Sequence, residues 1–256
     1  MMHDNDRALV ERIKGGGTIG GPDDVTPGYR TELMRLMVVL VDSELAGAAG
    51  FADLVNAAPT LEDRVLAARM VSEKYAHASQ VLALLEPFGV KPDLYLAEHA
   101  WAGRVDRSAN LGTRRIGGDK RLNVFHYPLD GWLDALVFEI LMGSASVTQL
   151  SDQAESSYAP FAEALTDVIA GEERHARRGE AALAGVIERS GRLARPQAAV
   201  DYWWPRVAAS FGRGNSERLD LYRAYGLRKR SNADLLEAWQ AEIGPRLSKM
   251  GLQSVS

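Results

Sequence analysis

Four stretches of this chain repeat apolar residues at three- and four-residue intervals, and in each the apolar stripe is interrupted by ionisable side chains. Such spacing puts residues on one face of an α-helix, so the pattern dictates long helices that each bury one stripe. The first runs Leu33, Met37, Leu40, Glu44, Gly47, Phe51, Leu54, with Glu44 where an apolar residue belongs. The second starts after Pro59, with Thr60 as N-cap and Glu62 and Asp63 in its first turn, and ends at Pro87 and Gly89. It reads in two registers, Leu66, Met70, Glu73, His77, Leu84 or Ala67, Met70, Lys74, His77, Val81, Leu84, and His77 is interior in both. The third, from about Asp130, carries Leu136, Glu139, Gly143 and Ser146; its small residues allow close helix approach or leave a cavity. The fourth, from Pro160 to about Ser190, carries Phe161, Leu165, Val168, Glu172, His175, Gly179, Ala182 and Val186.

A buried ionised carboxylate costs several kcal/mol even after relaxation, so four of them must be neutralised by metal, by bases or by water. Their order narrows the choice. Glu73 follows Glu44 by 29 residues and Glu172 follows Glu139 by 33, so each half of the chain supplies a lone Glu and then a Glu with a His one helix later. Di-iron carboxylate bundles are assembled in this way, with Glu-x-x-His on two of the helices. Glu172-Glu173-Arg174-His175 fits outright, since residues three apart share a helical face. A polar network that satisfies its own hydrogen bonds is the competing reading. The fold expected is all-α, a ferritin-like four-helix bundle with additional helices: residues 29–250 form a single domain, and residues 1–28, rich in Gly and Pro, form a flexible lead-in. Between 91 and 128 a short helix at Leu94 to Arg104 precedes a Gly- and Arg-rich loop, and the C-terminal third holds a Trp-rich segment and a further helix.

Composition narrows the chemistry. With no cysteine, thiolate sites, iron–sulfur clusters and disulfides are excluded, leaving His, Asp and Glu as metal ligands and favouring hard or borderline metals. A net charge of -4 argues against nucleic acid, and the absence of an apolar leader or a long apolar run points to a cytoplasmic protein with no membrane partner.

The segments LVDSELAG, VSEKYAHASQVLALLEPFG, GWLDALVFEILMGSA, GEERHARRG and YGLRKRSNADLLEAWQAEIGPRLSKMGL resemble the phenylacetic acid catabolic proteins, the ferritin-like subunits of phenylacetyl-CoA epoxidase, with benzoyl-CoA epoxidase nearby. The resemblance implies a di-iron monooxygenase that inserts one oxygen from O2 into an aromatic or related acyl-CoA-like substrate. Electrons would come from a separate reductase, and the chain would form a homo- or hetero-oligomer with a related subunit. Carried over by position, Glu44, Glu139, Glu172, His77 and His175 match ligands.

One position departs from the pattern. Where the family runs acidic residue, Glu, two others, His, this chain has Glu73, Lys74, Tyr75, Ala76, His77. Three outcomes stay open. Glu73 turns inward and metal, one ion or two, is retained; Lys74 fills the centre with salt bridges and the chain is a non-catalytic scaffold for an active oxygenase partner; or Lys74 has a catalytic role as a proton donor. Arg114, Arg115, Lys120 and Arg121 around Gly117-Gly118 could hold carrier phosphates, with a solvated surface loop the plainer reading.

Overall fold

The computed structural model describes residues 4–114, 116–214, 216 and 218–254, without the side chains of Asp4 and Asn5. Arg115 lies outside the described residues. Among them the chain is all helical: α1 (Asp4–Lys14), α2 (Pro27–Ala52), α3 (Leu61–Leu85), α4 (Pro92–Glu98), α5 (Gly131–Gln153), α6 (Ala159–Ser190), α7 (Ala194–Ser210), α8 (Leu219–Ala224) and α9 (Asn232–Lys249). The bundle is α2, α3, α5 and α6, with α2 packed on α3, α5 on α6, and α3 on α6.

Local signals explain the starts of these helices. Thr26 and Thr60 accept the backbone N–H groups of Tyr29 and Asp63, each satisfying one of the donors a helix start leaves unpaired. Ser231 and Asp234 form a reciprocal capping box at α9. The segment expected as a lead-in contains α1, whose Leu9 and Val10 are buried, and Ile19 is tied by backbone hydrogen bonds to Ser157 and Ala159. The helix expected from Leu94 to Arg104 is shorter, ending at Glu98, and the Arg104 guanidinium instead donates to the carbonyls of Trp101 and Ala46.

Helices α7 and α9 brace α5. Trp203 stands edge-on to Phe138 at 4.7 Å, and the wholly buried Trp239 donates its indole N–H to the Leu141 carbonyl at 3.2 Å and the Ser144 hydroxyl at 2.9 Å. By length and composition α5 could span a bilayer, but 72% of its apolar window is buried within the bundle. Two apolar clusters fill the core, one around Phe51, Phe138, Trp203 and Trp239, the other around Tyr29, Leu33, Val81 and Phe161. Between them lies a layer of buried charged side chains.

Candidate metal centre

That layer holds Glu44 from α2, Lys74 and His77 from α3, Glu139 from α5, and Glu172 and His175 from α6, all buried. Register decides the composition of the layer. Helix α3 takes the second of its two readings, with Ala67, Met70, Lys74, His77 and Val81 inward, and Glu73 is left 31% exposed at the edge. Glu73, expected among the metal ligands, thus lies outside the groups of donors that the layer brings together among the described residues. Its Oε2 lies 2.9 Å from His175 Nε2 and 3.2 Å from the Arg174 guanidinium, so Glu73 fixes the His175 ring from the edge of the layer. Burial opposes its charge, but His175 and Arg174 hold its carboxyl below the usual range.

Two groups of three donors share Glu172. Glu44, His77 and Glu172 form one, and Glu139, Glu172 and His175 the other; within each group the donor atoms lie within 4.8 Å of one another. His77 Nδ1 is 3.4 Å from Glu44 Oε2, while His175 Nδ1 is 3.7 Å from Glu172 Oε1 and 3.9 Å from Glu139 Oε1. Glu44 Oε2, His77 Nδ1, Glu139 Oε1 and His175 Nδ1 are buried with no hydrogen-bond partner. Orphaned acceptors facing one another are costly and suit a cation. Gly171 seats His77: a Cβ there would stand 2.6 Å from His77 Nε2, so any side chain at this position would drive the imidazole out. At Gly143 helices α5 and α6 run close, and a Cβ would stand 3.3 Å from Glu139 Oε1 and 3.4 Å from Ala176 and the Glu172 carbonyl.

Lys74 occupies one part of this centre. Its Nζ donates to Glu172 Oε1 at 2.7 Å and lies 3.7 Å from Glu139 Oε1, with its side chain 4% exposed. Burial works against the ammonium, but Glu139, Glu172 and Glu44 more than offset it and push its pKa up, so the lysine stays charged. Burial raises the Glu139 carboxyl to about 7 despite Lys74. Glu172 goes the other way: burial opposes its charge, yet Lys74 and His175 hold it well below the usual carboxylate range.

A cleft of about 660 Å³ opens between α2 and α5 and reaches the centre at Glu44. Leu40, Val39 and Phe125 line it near that floor, Ser146 and Gln149 form part of the α5 wall, and Arg35, Lys120 and Arg228 also contribute. The Gly- and Arg-rich loop forms one side and is pinned to α2 beside Glu44. Asp42 accepts the Lys120 amide and the Tyr95 hydroxyl, and the Ser43 hydroxyl accepts the Leu122 amide at 3.1 Å. Within this loop Arg121 is buried, paired with Asp119 at 2.7 Å and bonded to the carbonyls of Trp101 and Ala100, so it is a structural strut and not a phosphate ligand.

The sequence profile of the family described as Phenylacetic acid catabolic protein matches residues 17–254. The chain belongs to that family. It is 23% identical over 237 residues, 90% of this chain and 71% of the relative, to one of the subunits of 1,2-phenylacetyl-CoA epoxidase from Escherichia coli (strain K12). It is 28% identical over 170 residues to benzoyl-CoA oxygenase component B from Aromatoleum evansii, covering 64% of this chain and 33% of that protein. The polar layer of this family member thus holds a lysine, Lys74, beside its two histidines, placed there by register. Sequence reasoning missed the contact of Glu73 with His175. The signal was there: a carboxylate one position outside the stripe, on the side toward the helix that carries His175.

Proposed function

We propose that this chain is an oxygenase subunit that inserts one oxygen from O2 into an aromatic or related acyl group presented as a CoA-like thioester. The cleft that ends on Glu44 carries this reading. Its inner part is apolar enough for an acyl group, and Arg35, nine residues before Glu44, stands about 13 Å from it along α2 at 1.5 Å rise per residue. Arg35, 46% exposed and paired on one side with Glu32, offers with Lys120 positive charge to the phosphates of a carrier, whereas Arg228 is held by Asp152. Glu44, His77, Glu139, Glu172 and His175 are the chain's candidate metal ligands. Bound iron would supply dioxygen activation, with electrons from a separate reductase. The chain's own residues do the rest. Glu73 holds His175 with Nε2 outward and Nδ1 toward the carboxylates, the apolar floor excludes water from the reacting carbon, and the pinned loop closes one wall.

A second reading is favoured by one observation, the Lys74 ion pairs with Glu172 and Glu139: the chain is a non-catalytic scaffold that assembles with a related, active oxygenase chain. One experiment separates the two. Protein loaded with ferrous iron, chemically reduced, and given O2 with phenylacetyl-CoA or benzoyl-CoA is expected to yield a product heavier by one oxygen. The Arg35→Glu/Lys120→Glu double variant is expected to bind the thioester at least tenfold more weakly. No oxygenated product, with thioester binding unchanged in the double variant, would leave the scaffold.

A further inference from the structure

We infer that this centre binds one divalent metal ion, held by Glu44, His77 and Glu172, with Lys74 serving permanently as the second cation beside Glu139. The inference rests on the reading that the centre takes metal, and it goes beyond it by fixing the number and the place.

The two donor groups are not equivalent. First-row ions sit about 2.0–2.2 Å from nitrogen and oxygen ligands, which puts neighbouring ligand atoms roughly 3–3.5 Å apart. His77 Nδ1 and Glu44 Oε2, at 3.4 Å and without other partners, already stand at that separation. Lys74 touches this group only through Glu172 Oε1, which both groups share, and its other approach is to Glu139, outside it. In the second group the two oxygens nearest His175 Nδ1 are Glu172 Oε1 and Glu139 Oε1, and these are the atoms that Lys74 Nζ approaches at 2.7 and 3.7 Å. An ion there would compete with the ammonium for the same oxygens and the same space.

Charge gives the same count. With the carboxyls ionised and the imidazoles neutral, as metal binding requires, Glu44, Glu139 and Glu172 carry three buried negative charges and Lys74 one positive. Two negative charges remain, which one divalent ion cancels. A second divalent ion would leave an excess of two positive charges in an interior that tolerates unpaired charge poorly. Glu73 does not alter the balance, since it lies at the edge and is matched by Arg174.

Lys74 has no easy exit. Its stem is wedged against α2, where a Cβ added at Gly47 would stand 3.3 Å from Lys74 Cδ, and Phe125 closes the same spot. Turning α3 to bring the ammonium to solvent would withdraw His77, which shares its stripe. The donor set, two carboxylates and one imidazole with no thiolate, suits Fe(II), Mn(II) or Co(II).

The test is a metal count on the full chain, stripped with chelator and reloaded anaerobically with Co(II) or Fe(II), read by elemental analysis and by the Co(II) visible bands. The wild-type protein is expected to hold one ion per chain. His77→Ala is expected to weaken binding at least a hundredfold, His175→Ala to keep the single ion, and Lys74→Glu to raise the count to two. Two ions in the wild type would overturn the inference and leave the oxygenase reading intact. A single ion lost with His175→Ala but kept with His77→Ala would overturn the placement. No ion at all would remove both the inference and the metal-dependent function. The wild-type count needs no variant, so it stands even where a substitution fails to fold, which circular dichroism would reveal.

Discussion

Single atoms decide the chemistry of this centre. Breaking a buried ion pair by removing one partner costs about 3–5 kcal/mol. Lys74→Met is therefore expected to lower the unfolding free energy of the metal-free protein by that amount in urea titration; a change under about 1 kcal/mol would place Lys74 outside the layer. Gly171→Ala should expel His77, costing about 1–3 kcal/mol as an overpacked core residue and abolishing Co(II) binding together. The titration of the layer gives a pH signature. Glu139 has its folded pKa raised above the ordinary 4.5 to about 7, and His175, although burial opposes its charge, is raised by its carboxylate neighbours. Groups raised on folding stabilise fully below their unfolded values and lose that contribution as pH rises through the folded ones. The chelated protein should thus lose stability between about pH 5 and 8 through these two groups, and Glu139→Gln should flatten the slope. Glu172, depressed on folding, contributes with the opposite sign, but only as pH falls below the ordinary carboxylate range. Urea midpoints that rise across the same interval would contradict this.

Helices and their registers carried most of what the sequence could say. Stripes with a single register, such as those of α2 and α6, placed Glu44, Glu172 and His175 without ambiguity, because a three-four spacing admits one inward face. Helix α3 admitted two faces one residue apart, and periodicity does not weigh an ammonium against a carboxylate at the inward position. Packing against α6 settled it, by pairing Lys74 with Glu172 and Glu73 with His175. The stretch before α5 was opaque for another reason: its order comes from side chains reaching distant backbone, as Arg104, Arg121 and Asp42 do, and such contacts leave no period in a sequence. The same holds for α9, whose amphipathic pattern was plain but whose partner was not. Trp239 fixes it to α5, so Trp239→Ala is expected to cost about 3–5 kcal/mol in urea unfolding, against a near-silent exposed change such as Glu237→Ala.

At the scale of the molecule, the polar layer divides the core into two apolar clusters, and the cleft reaches that layer from one side only, at Glu44. Substrate approach and the proposed metal position therefore coincide, while Lys74, Glu139 and His175 lie on the other side of Glu172. The all-α bundle and its membership of the phenylacetic acid catabolic proteins follow from the stripes and their order. The cleft does not, because it is made by residues from α2, α5, the end of α7 and the pinned loop, which come together only in the folded chain. The asymmetry of the centre is the central claim, and an anomalous difference map at the iron edge, from crystals grown with ferrous iron, tests it most directly. One peak among Glu44, His77 and Glu172, with Lys74 still against Glu172, is the result expected; two peaks, or one peak between Glu139 and His175, would contradict it.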